Sequence, residues 1–378
     1  VPDPPERLLV FNPRFEAELE SRALAPAPRS DRARERLERR LAARFLFRGG
    51  PGDRLVADFQ LPEDFVRRLA AQGVGLPSVG PAVPARVLPW GFSASVAELA
   101  RGVGAPLEAP PPEAVRRVNS KAFAHELATR LGLPAPGSVR ESTATLEAAL
   151  RERFAPGELW VVKRAFGFGG LGHLFGRGLE LPPNGRGWLA KAFSHGEPVV
   201  LEPWVARERD LSVQLDVSPG GDVALLGALE LVATPNGGYL GNRIGVLPPD
   251  LVRALETTAT SVGRELAREG YFGPAGIDAY VSRGELRPLV EVNGRHTLGR
   301  IALELARTLV PAGACGAWLT IPGPRAKGPP LEGEGWVVTD PFPEEPGPIT
   351  VFVVGEDAAV LARREAMALG ALSSPAAE

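Results

Sequence analysis

Two carboxylates and an amide sit inside apolar strands, where a charge is costly unless something compensates it. The segments Gly276-Ile277-Asp278-Ala279-Tyr280-Val281 and Leu289-Val290-Glu291-Val292-Asn293-Gly294-Arg295 are rich in apolar and β-branched residues, which predicts two buried strands. Ser282-Arg283-Gly284-Glu285 is a polar, glycine-containing turn, so the pair is expected as an antiparallel hairpin. Asn293 lies two residues beyond Glu291 and therefore shares its strand face. Asp278, Glu291 and Asn293 would then form a set of hard oxygen donors suited to Mg²⁺, which shares itself between protein and phosphate oxygens. Arg295 continues the face and adds a fixed positive charge. The competing reading is a pair of ordinary ion bridges to core arginines.

Phosphate chemistry needs cations of a particular shape. Of 43 basic residues only Lys121, Lys163, Lys191 and Lys327 are lysine, which singles out positions where a compact, flexible ammonium is useful. Leu159-Trp160-Val161-Val162-Lys163 reads as a strand ending in lysine, and it runs into Gly167-Phe168-Gly169-Gly170-Leu171-Gly172. Glycines let backbone N–H groups close on a phosphate without Cβ obstruction. The loop is neither a Walker loop, since it lacks G-K-[ST], nor a Rossmann fingerprint; a flexible hairpin is the plain alternative. His173 at its edge is read as a solvated loop residue. Arg243, in a polar loop expected over 238–245, is a candidate for a terminal phosphate or an acidic substrate, with a structural salt bridge as the alternative. His296-Thr297-Leu298-Gly299-Arg300 opens a helix whose first N–H groups can help hold an anion, with Arg300 beside them.

The elements that must carry these residues follow from periodicity and punctuation. Strands are expected at 7–12, 55–58 and 85–90, with helices at 62–72 and 94–102, a small α/β layer with a largely parallel sheet. The arginine-rich stretch 29–48 has Leu37, Leu41 and Phe45 at helical spacing; interleaved Asp31, Glu35 and Glu38 favour a solvated helix face over a nucleic-acid patch. The proline-dense run 105–112 marks a boundary. One amphipathic helix is expected over 113–131, ended by Gly132-Leu133-Pro134, then a helix at 142–151 and another at 186–193. Strands follow at 198–205, 211–217 and 222–232, a long helix at 249–269, a strand-like piece at 335–339, a strand at 349–354 and a helix at 357–369. Three parts result: an N-terminal unit, 1–112; a core, 113–321, with a hinge near 201–206; and a Pro/Gly-rich segment, 322–378.

Composition sets outer limits. The 378 residues are 44% hydrophobic and 23% charged, with a net charge of −2, so nothing asks for a nucleic acid or a membrane surface. No apolar run reaches the roughly 20 residues a membrane helix needs. Val1-Pro2-Asp3-Pro4-Pro5 carries no signal-peptide pattern, and the single Cys315 suits a reducing cytoplasm, where the protein is expected. Cys315 has no histidine near it in sequence and reads as a small buried residue rather than a nucleophile. The four histidines are scattered, which argues against a zinc site.

Asp278 followed by Glu291-Val292-Asn293-Gly294-Arg295 resembles the magnesium-binding D…E-x-N-x-R pattern of the ATP-grasp superfamily. Other parts of that pattern occur in order over 113–310: Lys121 on a helix followed by Gly132-Leu133-Pro134, Lys163 with its glycine loop, and Leu201-Glu202-Pro203-Trp204-Val205 with Asp210 beyond it. The resemblance implies an α/β fold, an ATP-grasp core of two subdomains preceded by a small α/β domain. It also implies that Lys121, Lys163 and Gly167, Gly169, Gly170 and Gly172 meet the nucleotide phosphates. Glu202 would accept from the adenine amino group, the Trp204 and Val205 backbone would read the ring edge, and Asp210, with Glu208 as a rival, would bond the ribose. Asp278, Glu291 and Asn293 would hold Mg²⁺, or Mn²⁺ in its place, and Arg295, with Arg243 and Arg300, would serve the reacting groups. The implied reaction is ATP-dependent activation of a carboxylate as an acyl phosphate, release of ADP, and capture by an amine to give an amide. A phosphotransferase or a non-catalytic ATP-binding module on the same fold remain the alternatives. A biotin or bicarbonate carboxylase is disfavoured by the short N-terminal unit and the lack of a biotinylation segment. Small-molecule partners are expected, and a homodimer is left open.

Overall fold

Three sheets carry the chain in the computed structural model, which describes residues 5–21, 32–167, 173–234, 237–321 and 330–373. The first sheet is parallel, with the strand order Ser78–Gly80, Arg54–Val56, Arg7–Val10, Arg86–Pro89. Parallel neighbours need crossovers, and the helices Phe15–Ser21, Arg32–Arg44, Glu63–Ala71 and Ala94–Gly102 accompany these strands. Ser78–Gly80 carries no sequence signal, being three residues enclosed by Pro77 and Pro81. The basic helix Arg32–Arg44 departs from the solvated face expected of it. Leu37 is exposed, while Arg40 and Arg44 are buried against the rest of the protein.

The second sheet is antiparallel, in the order Ser138–Arg140, Val199–Pro203, Leu159–Arg164, Leu174–Arg177. Helices Thr143–Arg153 and Gly185–Ala192 close a separate small core around Leu146, Leu150, Trp160, Leu189 and Leu201. Ser142 caps the first of them, accepting from the Thr145 N–H at 3.2 Å. Gly176 faces Trp160 across the strands, and a Cβ there would come within 2.0 Å of the indole. Only glycine lets the ring lie across the partner strand.

The third sheet has nine antiparallel strands: Glu285–Asn293, Gly273–Ser282, Arg209–Val217, Val223–Ala233, Tyr239–Ile244, Cys315–Ile321, Ile349–Gly355, Trp336–Val338 and Glu332–Gly333. Helices Pro249–Arg268 and Leu298–Leu309 pack on it, and its core runs on into the N-terminal unit through Leu9, Phe45 and Trp90. The 238–245 stretch is thus a sheet strand, with Asn242 and Arg243 paired to Trp318 and Ala317, and not a loop. The last strands extend this sheet directly from Cys315–Ile321, so residues 330–355 complete the core architecture.

The single helix expected over 113–131 is broken into Pro112–Val118 and Lys121–Arg130. Asn119 explains the break. Its side chain donates to Val115 O at 2.7 Å and accepts from the Gly294 N–H at 2.9 Å, while Lys121 N donates to Ala165 O at 3.0 Å. A side chain that bonds the backbone locally competes with helix continuation, and here it also fastens the new helix start to the hairpin strand end. Among the described residues no helix is long and apolar enough to cross a membrane.

Candidate active site

The expected hairpin forms, with Asp278 opposite Glu291 and Gly276 opposite Asn293. Its turn places Arg283 at φ 53° and Gly284 at φ 71°, the left-handed pair that matches the twist of adjoining strands. Next to it lies a cleft of about 210 Å³ between the second and third sheets. Lys163, Gly167, Trp204, Asp210, Asp278, Glu291, Asn293 and Arg295 line this cleft.

A continuous set of hydrogen bonds runs beneath it. Thr297 Oγ1 donates to Gln214 Oε1 (2.7 Å), Gln214 Nε2 to Ser212 Oγ (2.8 Å), and Ser212 Oγ to Asp278 Oδ1 (2.8 Å). Asn293 Nδ2 donates to the other Asp278 oxygen at 3.0 Å and its Oδ1 accepts from Arg295 Nη2 at 3.0 Å. Arg295 also donates from Nε to Glu16 Oε1 at 2.8 Å. Satisfied networks of this kind fix side-chain orientation because any rotation strands a buried polar group.

The electrostatics favour a cation. Burial raises the Asp278 carboxyl to about 6, and the facing Glu291 charge adds to this against the Ser212 and Asn293 hydrogen bonds. Burial works to raise Glu291 too, but the Lys121 ammonium, 2.7 Å away, with Lys163 and Arg295 beyond it, holds it below its ordinary value. Lys121 thus occupies the carboxylate as an internal counter-ion. Among the described residues no group of three His, Cys, Asp or Glu is placed to hold a metal; the set is two carboxylates and an amide. That set suits Mg²⁺, which keeps water and phosphate oxygens as its other ligands, and it does not suit zinc.

The remaining expected residues divide. Lys163 pairs with Glu202 across neighbouring strands. Glu202 opens on a second, small pocket of about 20 Å³ with His125, Tyr280 and Val290, and Val290 also lines the main cleft. Trp204 meets Phe175 edge-on at 4.9 Å, whereas Val205 is not among the lining residues. Asp210 accepts from Arg207 Nη1 at 2.6 Å, and the rival Glu208 is turned away to accept from Gly284 N–H at 3.0 Å. Gly169, Gly170 and Gly172 lie outside the described residues. Arg243 is away from the cleft lining, donating twice to Glu365 (2.9 and 2.7 Å) and once to Glu230 (3.2 Å). Arg300 likewise holds Asp216 through two bonds of 2.6 and 2.9 Å. Both guanidiniums already have carboxylate partners, the structural alternative noted for Arg243.

Several cleft residues are not evident from the chemistry-bearing motifs. Ser212 and Gln214 alternate with apolar residues in the strand that also carries Asp210, so the strand's polar face is the signal that could have found them. His173 lines the cleft instead of lying in solvent; burial, then Lys163 and Lys121, push it down to about 4, so it is neutral near pH 7. Glu16 and Trp90 come from the N-terminal unit, and no local pattern marks them. Arg295 lies 5.5 Å over the Trp90 ring, and Trp90 lines the cleft.

No family model matches the sequence, and no curated protein matches it. Solved structures do. A biotin carboxylase from Campylobacter jejuni, in complex with β,γ-ATP, superposes with a TM-score of 0.61 at 15% identity, covering 97% of this chain and 91% of that one. The biotin carboxylase domain dimer of Hydrogenobacter thermophilus 2-oxoglutarate carboxylase, with MgADP, ADP and bicarbonate, gives 0.63 at 16%, covering 97% and 90%. N5-carboxyaminoimidazole ribonucleotide synthetase from Thermus thermophilus gives 0.58 at 16%, covering 98% and 100%. The likeness establishes the fold: an ATP-grasp core of two subdomains behind a small α/β unit.

Proposed function

We propose that the protein is an ATP- and Mg²⁺-dependent ligase that activates a carboxylate as an acyl phosphate, releases ADP, and joins the acyl group to an amine. The observation that carries this reading is the Asp278–Glu291–Asn293 cluster, with Lys121 bound to Glu291, lining one cleft together with Lys163. The fold is shared with enzymes solved with MgADP and β,γ-ATP, which supports a nucleotide here.

In the free protein each ammonium is neutralised by a carboxylate, Lys121 by Glu291 and Lys163 by Glu202. Phosphate oxygens arriving in the cleft would take over the lysines. Asp278, Glu291 and the Asn293 amide oxygen would hold Mg²⁺, whose charge draws electron density from the phosphate oxygens. Arg295, positioned by Glu16 and Asn293, faces the place where negative charge builds as the phosphoryl group reaches the substrate carboxylate. The amine then attacks the acyl carbon, the phosphate leaves, and the amine loses a proton. Trp204 and Asp210 would take the adenosine end. Small-molecule substrates and a cytoplasmic setting fit the composition and the single buried Cys315.

The test incubates purified protein with Mg-ATP, hydroxylamine as a generic nucleophile, and a panel of amino acids, other carboxylates and bicarbonate. ADP together with a hydroxamate establishes acyl-phosphate formation. A stable phosphorylated product instead makes the protein a kinase, AMP rejects the mechanism, and ATP binding without turnover for any acid identifies a binding module.

A further inference from the structure

The cleft continues past the metal cluster, beyond Ser212 and Gln214, to Trp90, Tyr239, Leu298 and Gly299. Two buried polar groups around Tyr239 lack partners among the described residues: one is electrostatically coupled to it, the other hydrogen-bonded to it. Arg44, the last residue of its helix, is 8% exposed and makes no hydrogen bond or ion pair with any described residue. Its electrostatic neighbours are Tyr239, Asp340 and Arg40. Asp340 is engaged elsewhere, accepting from Arg40 and from the Phe342 N–H at 2.7 Å. Two guanidiniums therefore share one carboxylate, and a positive charge is left over. Burial holds the Arg44 pKa below its ordinary value, as expected for a cation without an anion.

Asn242 is the second group. It is fully buried, its Nδ2 donates to the Tyr239 hydroxyl oxygen, and its Oδ1 has no partner. That oxygen lies 3.5 Å from where a Cβ on Gly299 would stand, and Gly299 lines the cleft. Turning the amide over only changes which of its atoms is left unpaired. Because Tyr239 accepts from Asn242, its own O–H is free to donate. Unpaired buried groups are uncommon, and the unpaired cation here adjoins Tyr239, a residue of the cleft lining.

We propose that this inner end is a subsite for an anchoring carboxylate on one of the two substrates, an amino acid or hydroxy acid. Arg44 and the Tyr239 hydroxyl donate to the carboxylate, which is distinct from the carboxyl that is activated. Trp90, Leu231 and Leu298 line the space for its apolar body. The positive end of helix Leu298–Leu309 adds to the attraction. This reading rests on the ligase assignment for calling the cleft a substrate site.

Isothermal titration of the full chain, saturated with Mg-ADP, against free amino acids, 2-hydroxy acids and their carboxamides tests it. At least one free acid binds while its carboxamide does not, and Arg44→Met weakens that acid by about tenfold or more, the size expected of a lost charge-assisted bond. Mg-ADP affinity stays within about twofold, since none of the residues expected to hold the nucleotide is among the electrostatic neighbours of Arg44. Arg44→Lys recovers part of the binding. The melting temperature of ligand-free Arg44→Met is unchanged or higher, because no partner is lost. If that variant does not fold, Tyr239→Phe takes its place, with weaker acid binding and unchanged Mg-ADP binding expected. Acid binding unaffected by either substitution, a lower melting temperature for Arg44→Met, or no binding by any acid overturns the subsite. Arg44-dependent acid binding together with failure of the hydroxamate assay would reject the ligase reading and leave the subsite standing.

Discussion

At the hairpin end of the cleft Asp278, Glu291, Asn293 and Arg295 each hold a partner, whereas around Tyr239 at the inner end the neighbouring Arg44 and Asn242 Oδ1 hold none among the described residues. Both ends are built from buried polar groups, so the difference lies in where compensation comes from. The hairpin end carries its own counter-ions, with Lys121 on Glu291 and Glu16 on Arg295, and a ligand arriving there exchanges one set of ion pairs for another. The inner end has no such substitute among the described residues, so on the proposed reading a ligand supplies the missing charge. A site of the first kind is ordered before it binds and tolerates being empty. A site of the second kind gains more from each contact, because the free state bears the desolvation penalty.

The largest effect should come from breaking the hairpin end. Asp278→Asn or Glu291→Gln is expected to lower turnover by on the order of 10²–10³-fold or more, with the fold intact by circular dichroism. Full activity in both variants would remove Asp278 and Glu291 from the metal site. Next, Lys163→Met should weaken Mg-ADP by about 10–100-fold in titration calorimetry, the loss of one charge-assisted bond. Nucleotide affinity equal to wild type would mean that Lys163 serves only Glu202.

Arg243→Gln sharpens the contrast from outside the cleft. It leaves Glu365 buried without its guanidinium, and with Arg243 itself one-third exposed the expected loss is roughly 1–3 kcal/mol in denaturant unfolding. No loss of stability would contradict a structural role for the pair.

The smallest effect is a dependence of stability on pH at His296. This ring is buried; burial first, then Arg48 and Arg300, hold its pKa well below the usual value. Arg48 Nε donates to Nε2 and the other ring nitrogen meets Pro89 O, both at 3.0 Å, so the neutral ring is the one that fits. The unfolded chain therefore takes up a proton that the folded chain refuses. Stability from this group is complete above pH ~6.5 and falls as pH drops below it, by about 1.4 kcal/mol per unit until the folded pKa is reached. Urea unfolding of wild type and His296→Gln between pH 7 and pH 5 checks this, with the slope reduced in the variant.

The sequence by itself determined the hairpin and what it carries. Side-chain alternation has a period of two, so Glu291 and Asn293 had to share a face; the Arg283-Gly284 turn alone would set Asp278 opposite Leu289, and a register shift between Asp278 and Tyr280 brings it opposite Glu291 instead. Lysine scarcity likewise made Lys121 and Lys163 conspicuous before any coordinates. Short-range geometry dictates these facts, and short-range geometry is written in neighbouring residues. The tertiary structure alone decided the rest. Whether Arg243 and Arg300 were free depended on Glu365 and Asp216, 122 and 84 residues away. Whether Arg44 lay in solvent or buried beside Tyr239 depended on the basic helix docking, through Arg40, on Asp340 and Phe342 some 300 residues away. Spacing along the chain says nothing about such long-range pairings, because the burial and counter-charge that give an ion its role come from segments brought together only by the folded core.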